Sequence, residues 1–149
     1  MASENHLLET LRENRAAGRM SLCGYFLAGY PTPEAFYRVV RAADALDVIE
    51  YGIPADNPAM DGAVIAQAHE VVTAQRGLGA ETALSLIGGL RDVRQPGFVM
   101  TYSRVGRELD GFLRLCLLNG LHGMLAPDME EDEIRLLAGI MHALNLAVV

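Results

Sequence analysis

Short apolar runs alternate with amphipathic segments along the 149 residues, and this alternation constrains the fold more than any other feature of the sequence. Each run has the length of a strand, and most runs are followed by a segment with apolar residues at helical spacing. Strands that alternate with helices form right-handed βαβ units, which place the strands in one parallel sheet covered by helices. The sequence therefore predicts an α/β protein.

An amphipathic helix from Glu4 to Arg15 is predicted first, and we expect it to cap another part of the fold. Five strands follow, at Ser21–Ala28, from Val48 to a stop at Gly52, at Phe98–Tyr102, at Met124–Ala126 and at Leu146–Val149. Further helices are predicted at Ala63–Gln75, at Glu81–Leu90, at Glu108–Leu118 and from a cap at Asp128 to Leu144.

The segment after the first strand carries the clearest helix-start signal. Thr32 is suited to be the N-cap of a helix that has Pro33 at its first position and Glu34 in its first turn. The buried stripe of this helix is predicted to contain Phe36, Val39, Val40 and Ala43.

The stretch from Val48 to Gly62 carries one carboxylate inside a strand and a second just beyond it. Side chains alternate along a strand, so Val48, Glu50 and Gly52 share one face. Both faces of a parallel sheet are covered, and burial there raises the pKa of a carboxyl group, which suits general acid/base catalysis. Two simpler interpretations stay open: Glu50 could pair with an arginine at the wet end of the strand, and Asp61 could be an ordinary turn residue before glycine.

Polar residues are concentrated in the loops after the second, third and fourth predicted strands. These groups are Asp56–Asp61, Tyr102–Arg104 and Asp128–Asp132. Active sites of parallel α/β folds lie at the carboxyl ends of the strands, so these three loops are the candidate site.

Composition excludes several functional classes. The net charge is −7 and no arginine cluster is present, which argues against nucleic acid as a partner. All twelve basic residues are arginine, so Schiff-base chemistry on lysine is excluded for this stretch. The length fits one domain, and no apolar run approaches a membrane span or a signal peptide, which predicts a cytoplasmic protein without a membrane partner.

The cysteines and most of the histidines are interpreted as structural. Cys23 and Cys116 lie in apolar runs, which indicates two buried thiols rather than a disulfide or a metal pair. His69, His122 and His142 fall on predicted helices or a turn and are interpreted as structural or solvated. No metal and no cofactor are predicted.

Several motifs, taken in order, resemble those of the alpha subunit family of tryptophan synthase. They are A-G-Y-P-T at Ala28–Thr32, I-E-Y-G-I-P at Ile49–Pro54, D-G at Asp61–Gly62, V-I-x-x-A at Val64–Ala68, M-T-Y at Met100–Tyr102 and P-D-M at Pro127–Met129. The resemblance covers nearly the whole chain. It implies a (β/α)8 TIM barrel, of which this sequence would supply about the first five strands. In that frame 1–149 form one domain, the N-terminal part of a barrel, with a capping helix in 1–19 and βα units in 20–149.

The resemblance also implies an activity and a set of roles. The family cleaves indole-3-glycerol phosphate to indole and glyceraldehyde 3-phosphate in tryptophan biosynthesis, without a cofactor, and pairs with a beta subunit in a heterotetramer. Glu50 would be the acid/base that protonates the indole ring carbon, and Asp61 would hold the indole N–H. The substrate pocket would contain Tyr102, Met100 and Leu125. The loop of Asp56, Asn57 and Pro58 would contact the partner.

The sequence departs from the family pattern in four places. A-D-N-P at Ala55–Pro58 replaces F-S-D-P, Ala63 replaces a proline, Arg104 stands where asparagine is usual, and Glu130 stands where proline is usual. Two alternatives therefore stay open: a non-catalytic homologue or fragment that binds and regulates a beta-type subunit, or a related phosphate-binding-barrel lyase for another aromatic substrate. Five parallel strands cannot close a barrel and leave open edges. These residues alone are therefore expected either to be inactive and self-associating, or to be ordered only when the remaining strands are present in the same particle.

Overall fold

The structure, a computed structural model, describes residues 5–75, 77–108 and 111–149. The described helices are α1 His6–Ala16, α2 Pro33–Arg41, α3 Ala63–Thr73, α4 Ala80–Gly88, α5 Ser103–Glu108, α6 Phe112–Leu118 and α7 Glu131–Ala143. The described strands are β1 Cys23–Leu27, β2 Val48–Gly52, β3 Gly97–Met100, β4 Gly123–Leu125 and β5 Ala147–Val148. All the strands predicted from the sequence are present, and their ends differ from prediction by a few residues.

The strands form one parallel sheet in the order β1-β2-β3-β4-β5. Consecutive strands are neighbours because each connection crosses over through a helix, as the alternating pattern predicts. In the register of the sheet, Glu50 of β2 lies between Tyr25 of β1 and Phe98 of β3. One face of the sheet therefore carries Glu50 with these two aromatic side chains.

The opposite face of the sheet forms the main core with the helices. Ile49, Val99 and Met124 project from the strands into this core. The helices contribute Phe36, Val40, Leu84, Ile87, Phe112, Cys116 and Met141. Each such side chain contributes about 1.5–3 kcal/mol when fully buried, so this layer holds the sheet and thereby the direction of Glu50 on the other face.

Helix α1 lies against the amino-terminal end of the Glu50 face. Leu7 packs on Val48, Phe98 and Ala147. The Asn5 Oδ1 atom accepts hydrogen bonds from the Leu7 and Leu8 backbone N–H groups, while Nδ2 donates to the His122 and Asn145 carbonyls at 2.7 and 2.6 Å. We propose on these contacts that α1 is the predicted cap. Glu4, where that helix was predicted to begin, lies outside the described residues.

Helix α2 confirms its predicted start and corrects one predicted core residue. Thr32 accepts a hydrogen bond from the Ala35 N–H through Oγ1, with Pro33 at the first helical position. Phe36 and Val40 are buried, but Val39 is 49 % exposed. Since successive helical positions are about 100° apart, a stripe centred on Phe36 and Val40 turns Val39 toward solvent.

The helix predicted at Glu108–Leu118 is wrong in its first turn. Its second and third residues lie outside the described residues, and α6 begins at Phe112 after Gly111, whose φ of 69° is left-handed and not helical. The preceding helix α5 begins at Ser103 and was not predicted. Six residues give too short a pattern for helical periodicity to be read.

Asp128 does not cap the last long helix. Glu130 is the N-cap of α7, where it forms a capping box with Glu133. Asp128 instead accepts hydrogen bonds from the Ser103 N–H and hydroxyl, both at 2.8 Å. Its carboxylate therefore connects the loops after β3 and β4, a tertiary role that spacing along the chain does not reveal.

The two cysteines differ in environment. Cys116 is completely buried, as predicted, and burial raises the pKa of its thiol to about 12. Cys23 was predicted to be buried but is exposed, because it opens strand β1, which pairs with β2 alone among the described strands.

In the described part of the chain, no helix is long and apolar enough to cross a bilayer.

Candidate functional site

Glu50 is the middle residue of β2 and is half-buried on the face against which Leu7 of α1 packs. Burial and, secondly, the charge of Asp61 raise its pKa above the ordinary value of 4.5. No arginine or lysine appears among the charges that affect it, so the interpretation of Glu50 as one half of a surface ion pair is not supported in the described residues. A carboxyl group in this setting is suited to hold and deliver a proton.

Asp61 ends the loop between β2 and α3 and is tied to the end of β3. The Tyr102 hydroxyl donates to Asp61 Oδ2 at 2.8 Å. The same hydroxyl accepts a hydrogen bond from the Met60 N–H at 3.1 Å. Burial first, and then the hydrogen bond to Asp61, raise the pKa of Tyr102 to about 12, so the phenol remains a donor at neutral pH. Asp61 is thus positioned as a hydrogen-bond acceptor and is not only a turn residue.

His69 on α3 also reaches Asp61, which the sequence did not indicate. Its ring is completely buried and its Nε2 lies 3.5 Å from Asp61 Oδ2. The sequence did contain a signal for burial, because His69 is four residues after Ile65 and three before Val72 and so falls in the apolar stripe of its helix. By contrast, His142 is exposed and His122 is half-buried against the Gly97 carbonyl.

Tyr25 is a second residue that the motifs did not single out. Its ring lies over Gly52, where an added Cβ would overlap the Tyr25 hydroxyl, so glycine is required there by this close approach. The hydroxyl is buried and has no hydrogen-bond partner among the described residues. Burial, followed by the charges of Asp61 and Glu50, raises the pKa of Tyr25. A neutral O–H donor therefore stands beside both carboxylates.

The predicted substrate-binding residues come together in one apolar cluster. Met100 and Tyr102 are buried with Ala55, and Leu125 and Tyr25 pack against them. Since Met100 and Leu125 are paired neighbours on β3 and β4, they form a continuous wall at the carboxyl ends of the strands. The wall adjoins the carboxylate pair through Tyr102 and Tyr25.

The predicted partner loop is exposed in its middle. Asp56 and Asn57 are exposed and Pro58 is half-buried. Two large apolar side chains next to it are also exposed, Met60 by 63 % and Val64 by 83 %. A cavity of about 600 Å³ lies beside the loop, and neither catalytic candidate lines it. The middle of the loop and these two side chains are therefore open to solvent.

The arrangement can deliver a proton to a flat apolar molecule and balance the charge that results. Glu50 supplies a carboxyl group with a raised pKa, and Asp61 supplies a second carboxylate that is held by Tyr102. The apolar wall of Met100 and Leu125 supplies a surface for an aromatic ring. No group of three or more histidine, cysteine, aspartate or glutamate side chains within 5–75, 77–108 and 111–149 is placed to hold a metal ion.

Comparisons with known proteins identify what this chain is similar to. The family model described as tryptophan synthase alpha chain matches residues 11–149. The tryptophan synthase alpha chain of Thermobifida fusca is 36 % identical over 135 residues, covering 85 % of this chain and 48 % of its own length. The tryptophan synthase alpha chain of Aquifex aeolicus is 33 % identical over 151 residues, covering 93 % of this chain and 54 % of its own length. The chain thus spans about half the length of the curated relatives it matches.

Solved structures agree on the fold. An open-form tryptophan synthase from M. tuberculosis matches with a TM-score of 0.87 and 27 % identity, over 99 % of this chain and 60 % of the other. A tryptophan synthase alpha subunit from Legionella pneumophila matches with a TM-score of 0.90, over 98 % of this chain and 58 % of the other. Because the two sequences are only 23 % identical, this match supports the fold alone. The described sheet is the first five strands of a TIM barrel.

Proposed function

Because the chain belongs to the tryptophan synthase alpha chain family, we propose that it carries the catalytic carboxylates of an indole-3-glycerol-phosphate lyase. The reaction is the retro-aldol cleavage of indole-3-glycerol phosphate to indole and glyceraldehyde 3-phosphate, a step of tryptophan biosynthesis in the cytoplasm. It needs no cofactor, because carboxylate acid/base chemistry is sufficient.

The placement of Glu50 beside Asp61, next to an apolar wall, is the observation that supports this proposal. Tyr102 connects the apolar wall with the carboxylate pair, since its ring packs on Met100 and its hydroxyl donates to Asp61. An indole ring placed against Met100, Tyr102 and Leu125 would bring its reacting carbon and its nitrogen between two carboxyl groups.

The cleavage requires both carboxyl groups in different protonation states. Glu50 delivers a proton to indole C3, which gives a cationic indolenine, and Asp61 stays ionised and accepts the ring N–H. The bond between C3 and the glycerol carbon then breaks, and its electron pair neutralises the ring nitrogen. The hydroxyl on the departing carbon loses its proton and becomes the aldehyde, and the carboxylate of Glu50 accepts that proton. The raised pKa of Glu50 suits this cycle, because the group must be protonated at the start.

We infer a beta-type subunit as the protein partner. The exposed middle of the loop, Asp56 and Asn57 with Pro58, and the exposed side chains of Met60 and Val64 form one surface next to the active site. The sequence of this loop departs from the family pattern, and that departure favours the second candidate function, a homologue that binds and regulates a beta-type subunit without catalysis.

The test is an assay of indole release from indole-3-glycerol phosphate by the complete protein that carries this sequence. Glu50→Gln keeps the shape of the side chain and removes proton transfer, so we expect it to lower kcat by at least about 10²-fold. Glu70→Gln, on the exposed face of α3, is the matched control and is expected to leave kcat unchanged. Turnover by Glu50→Gln within about twofold of wild type would refute the role of Glu50. Absence of indole release by the wild type would favour the regulatory function.

A further inference from the structure

The His69 ring is held between two parts of the loop that precedes its own helix. Its Nδ1 atom accepts a hydrogen bond from the Ala55 N–H at 3.0 Å. Its Nε2 atom lies 3.5 Å from Asp61 Oδ2. The ring is fully buried, and Nε2 has no hydrogen-bond partner in the part of the chain that the structure describes. A buried polar atom without a partner indicates either strain or a function, because burial without a hydrogen bond costs free energy.

The contact with Ala55 determines which ring nitrogen carries the proton. A nitrogen that accepts a hydrogen bond must present its lone pair, so Nδ1 is unprotonated. Burial lowers the pKa of His69, which keeps the ring neutral at neutral pH in spite of the opposing effect of Asp61. A neutral imidazole has one N–H group, and here it must be at Nε2. The N–H group therefore lies on the side of the carboxylate.

Two donors thus flank the same oxygen of Asp61. Tyr102, after β3, donates to Oδ2 at 2.8 Å, and the Nε2–H group of His69 on α3 lies beside that oxygen. Both contacts described for the carboxylate fall on Oδ2, which leaves Oδ1 for a substrate N–H. A separation of 3.5 Å is longer than a formed hydrogen bond, and such distances often shorten in catalytic sites when substrate binds.

We propose that His69 is a positioning residue that holds Asp61 through a fixed Nε2–H tautomer, with the Ala55 backbone as the group that selects this tautomer. The proposal rests on the proposed role of Asp61 in binding the substrate N–H. The Ala55 N–H holds the His69 ring in place, and the ring together with the Tyr102 hydroxyl holds Oδ2 of Asp61. The other oxygen, Oδ1, is thereby directed toward the substrate N–H. The same contacts join the two ends of the loop, since Ala55 is near its beginning and Asp61 at its end.

Two substitutions separate the two ring nitrogens. The Asn side chain can place its oxygen near the position of Nδ1, so His69→Asn keeps an acceptor for Ala55 and removes the donor toward Asp61. The longer Gln side chain reaches the position of Nε2, so His69→Gln keeps a donor toward Asp61 and removes the acceptor. We expect His69→Asn to lower kcat about tenfold, because a misdirected carboxylate costs catalysis. His69→Gln is expected to stay within about threefold of wild type.

A double-mutant cycle shows whether His69 acts through Asp61. In a protein that already carries Asp61→Asn, adding His69→Asn is expected to cause no further loss in kcat, whereas independent effects would multiply. Multiplying losses, or a larger loss for His69→Gln than for His69→Asn, would overturn the proposal. His142→Asn, at an exposed histidine, is the matched control and is expected to leave kcat unchanged. Thermal unfolding of each variant identifies any loss caused by failed folding.

Nitrogen-15 NMR of the ring tests the tautomer without any activity measurement. We expect a pyridine-type signal for Nδ1 and a pyrrole-type signal for Nε2 of His69 at neutral pH, with the exposed His142 in fast exchange between its tautomers. A protonated Nδ1 in the complete protein would overturn the proposal. If the wild type released no indole, the proposed function would fail, while the tautomer measurement would still decide the arrangement of His69.

Discussion

Glu50 shows, at the scale of one residue, how a suitable acid/base is linked to stability. Burial and Asp61 hold the pKa of Glu50 above 4.5 in the folded state, whereas the unfolded chain has the ordinary value. The folded state therefore binds the proton more tightly, and the free energy of unfolding falls as pH rises through the window between the two pKa values. Each unit by which the pKa is raised corresponds to about 1.4 kcal/mol of lost stability above that window.

Glu50→Gln is accordingly predicted to raise the melting temperature at about pH 8, because glutamine carries no charge that burial and Asp61 would penalise. The gain should shrink toward about pH 4, where wild-type Glu50 is largely protonated in both states. Thermal unfolding of the complete protein at both pH values measures this, with Glu70→Gln as the control. A difference in melting temperature that is the same at both pH values would show that ionisation of Glu50 is not penalised.

Single residues also mark the limit of prediction from sequence. Met100, Tyr102 and Leu125 were identified through the family resemblance and lie together in the structure. His69 and Tyr25 were not identified, because their significance depends on atoms distant in the sequence. His69 accepts a hydrogen bond from the Ala55 N–H, and Tyr25 occupies the space over Gly52. A side chain's type is visible in a sequence, but the partner of a buried polar atom is a tertiary fact.

At the scale of elements, the loop between β2 and α3 is fixed at both ends and exposed in the middle. The Ile53 N–H donates to the Met100 carbonyl at 2.9 Å, the Ala55 N–H donates to His69, and the Met60 N–H donates to Tyr102. Between these contacts, Asp56 and Asn57 are exposed. Changes in the middle of the loop can therefore alter binding of the proposed partner and leave the carboxylates in place.

The double variant Asp56→Ser/Asn57→Asp restores two of the three residues that differ from the family pattern. It is predicted to strengthen binding to the proposed beta subunit, measured by titration calorimetry, with no change in melting temperature. Adding Ala55→Phe completes the family pattern and is predicted to strengthen this binding further, since Ala55 lines the cavity of about 600 Å³ beside the loop, where a larger side chain has space. Unchanged or weaker binding of the double variant would contradict the role of this loop.

The existence of each long element followed from periodicity, whereas several ends did not. Apolar spacing placed α2, α3, α4 and α7 close to their observed positions. The start of α7 was misplaced because Asp128 has a better partner in Ser103, and the start of α6 because Gly111 turns left-handed before it. The ends of helices are decided by single contacts, and the spacing of apolar residues carries no information about such contacts.

At the scale of the whole molecule, the described sheet has two open edges. Strand β1 pairs only with β2 and strand β5 only with β4 within the described ranges. Large apolar side chains on α7 and β5 are exposed: Leu136 by 77 %, Ile140 by 52 % and Val148 by 47 %. A closed barrel has no sheet edges, whereas an open parallel sheet presents unpaired backbone groups to other chains.

Residues 1–149 produced as an isolated chain are therefore predicted to self-associate, which light scattering measures. Val148→Lys places a charge on the β5 edge and is expected to reduce the association, since edge lysines block strand pairing. The complete protein that carries this sequence is the control. A monodisperse monomer of the isolated chain with cooperative unfolding would show that the open edges do not drive association.

Asn5 makes the order of synthesis matter for this fold. Its Oδ1 atom starts α1 through contacts only two and three residues away, but its Nδ2 atom binds carbonyls 117 and 140 residues further along the chain. During translation α1 is made before its two acceptors, which follow 117 and 140 residues later. The first helix therefore cannot complete its contacts with β4 and with the residues after α7 until those segments have been synthesised.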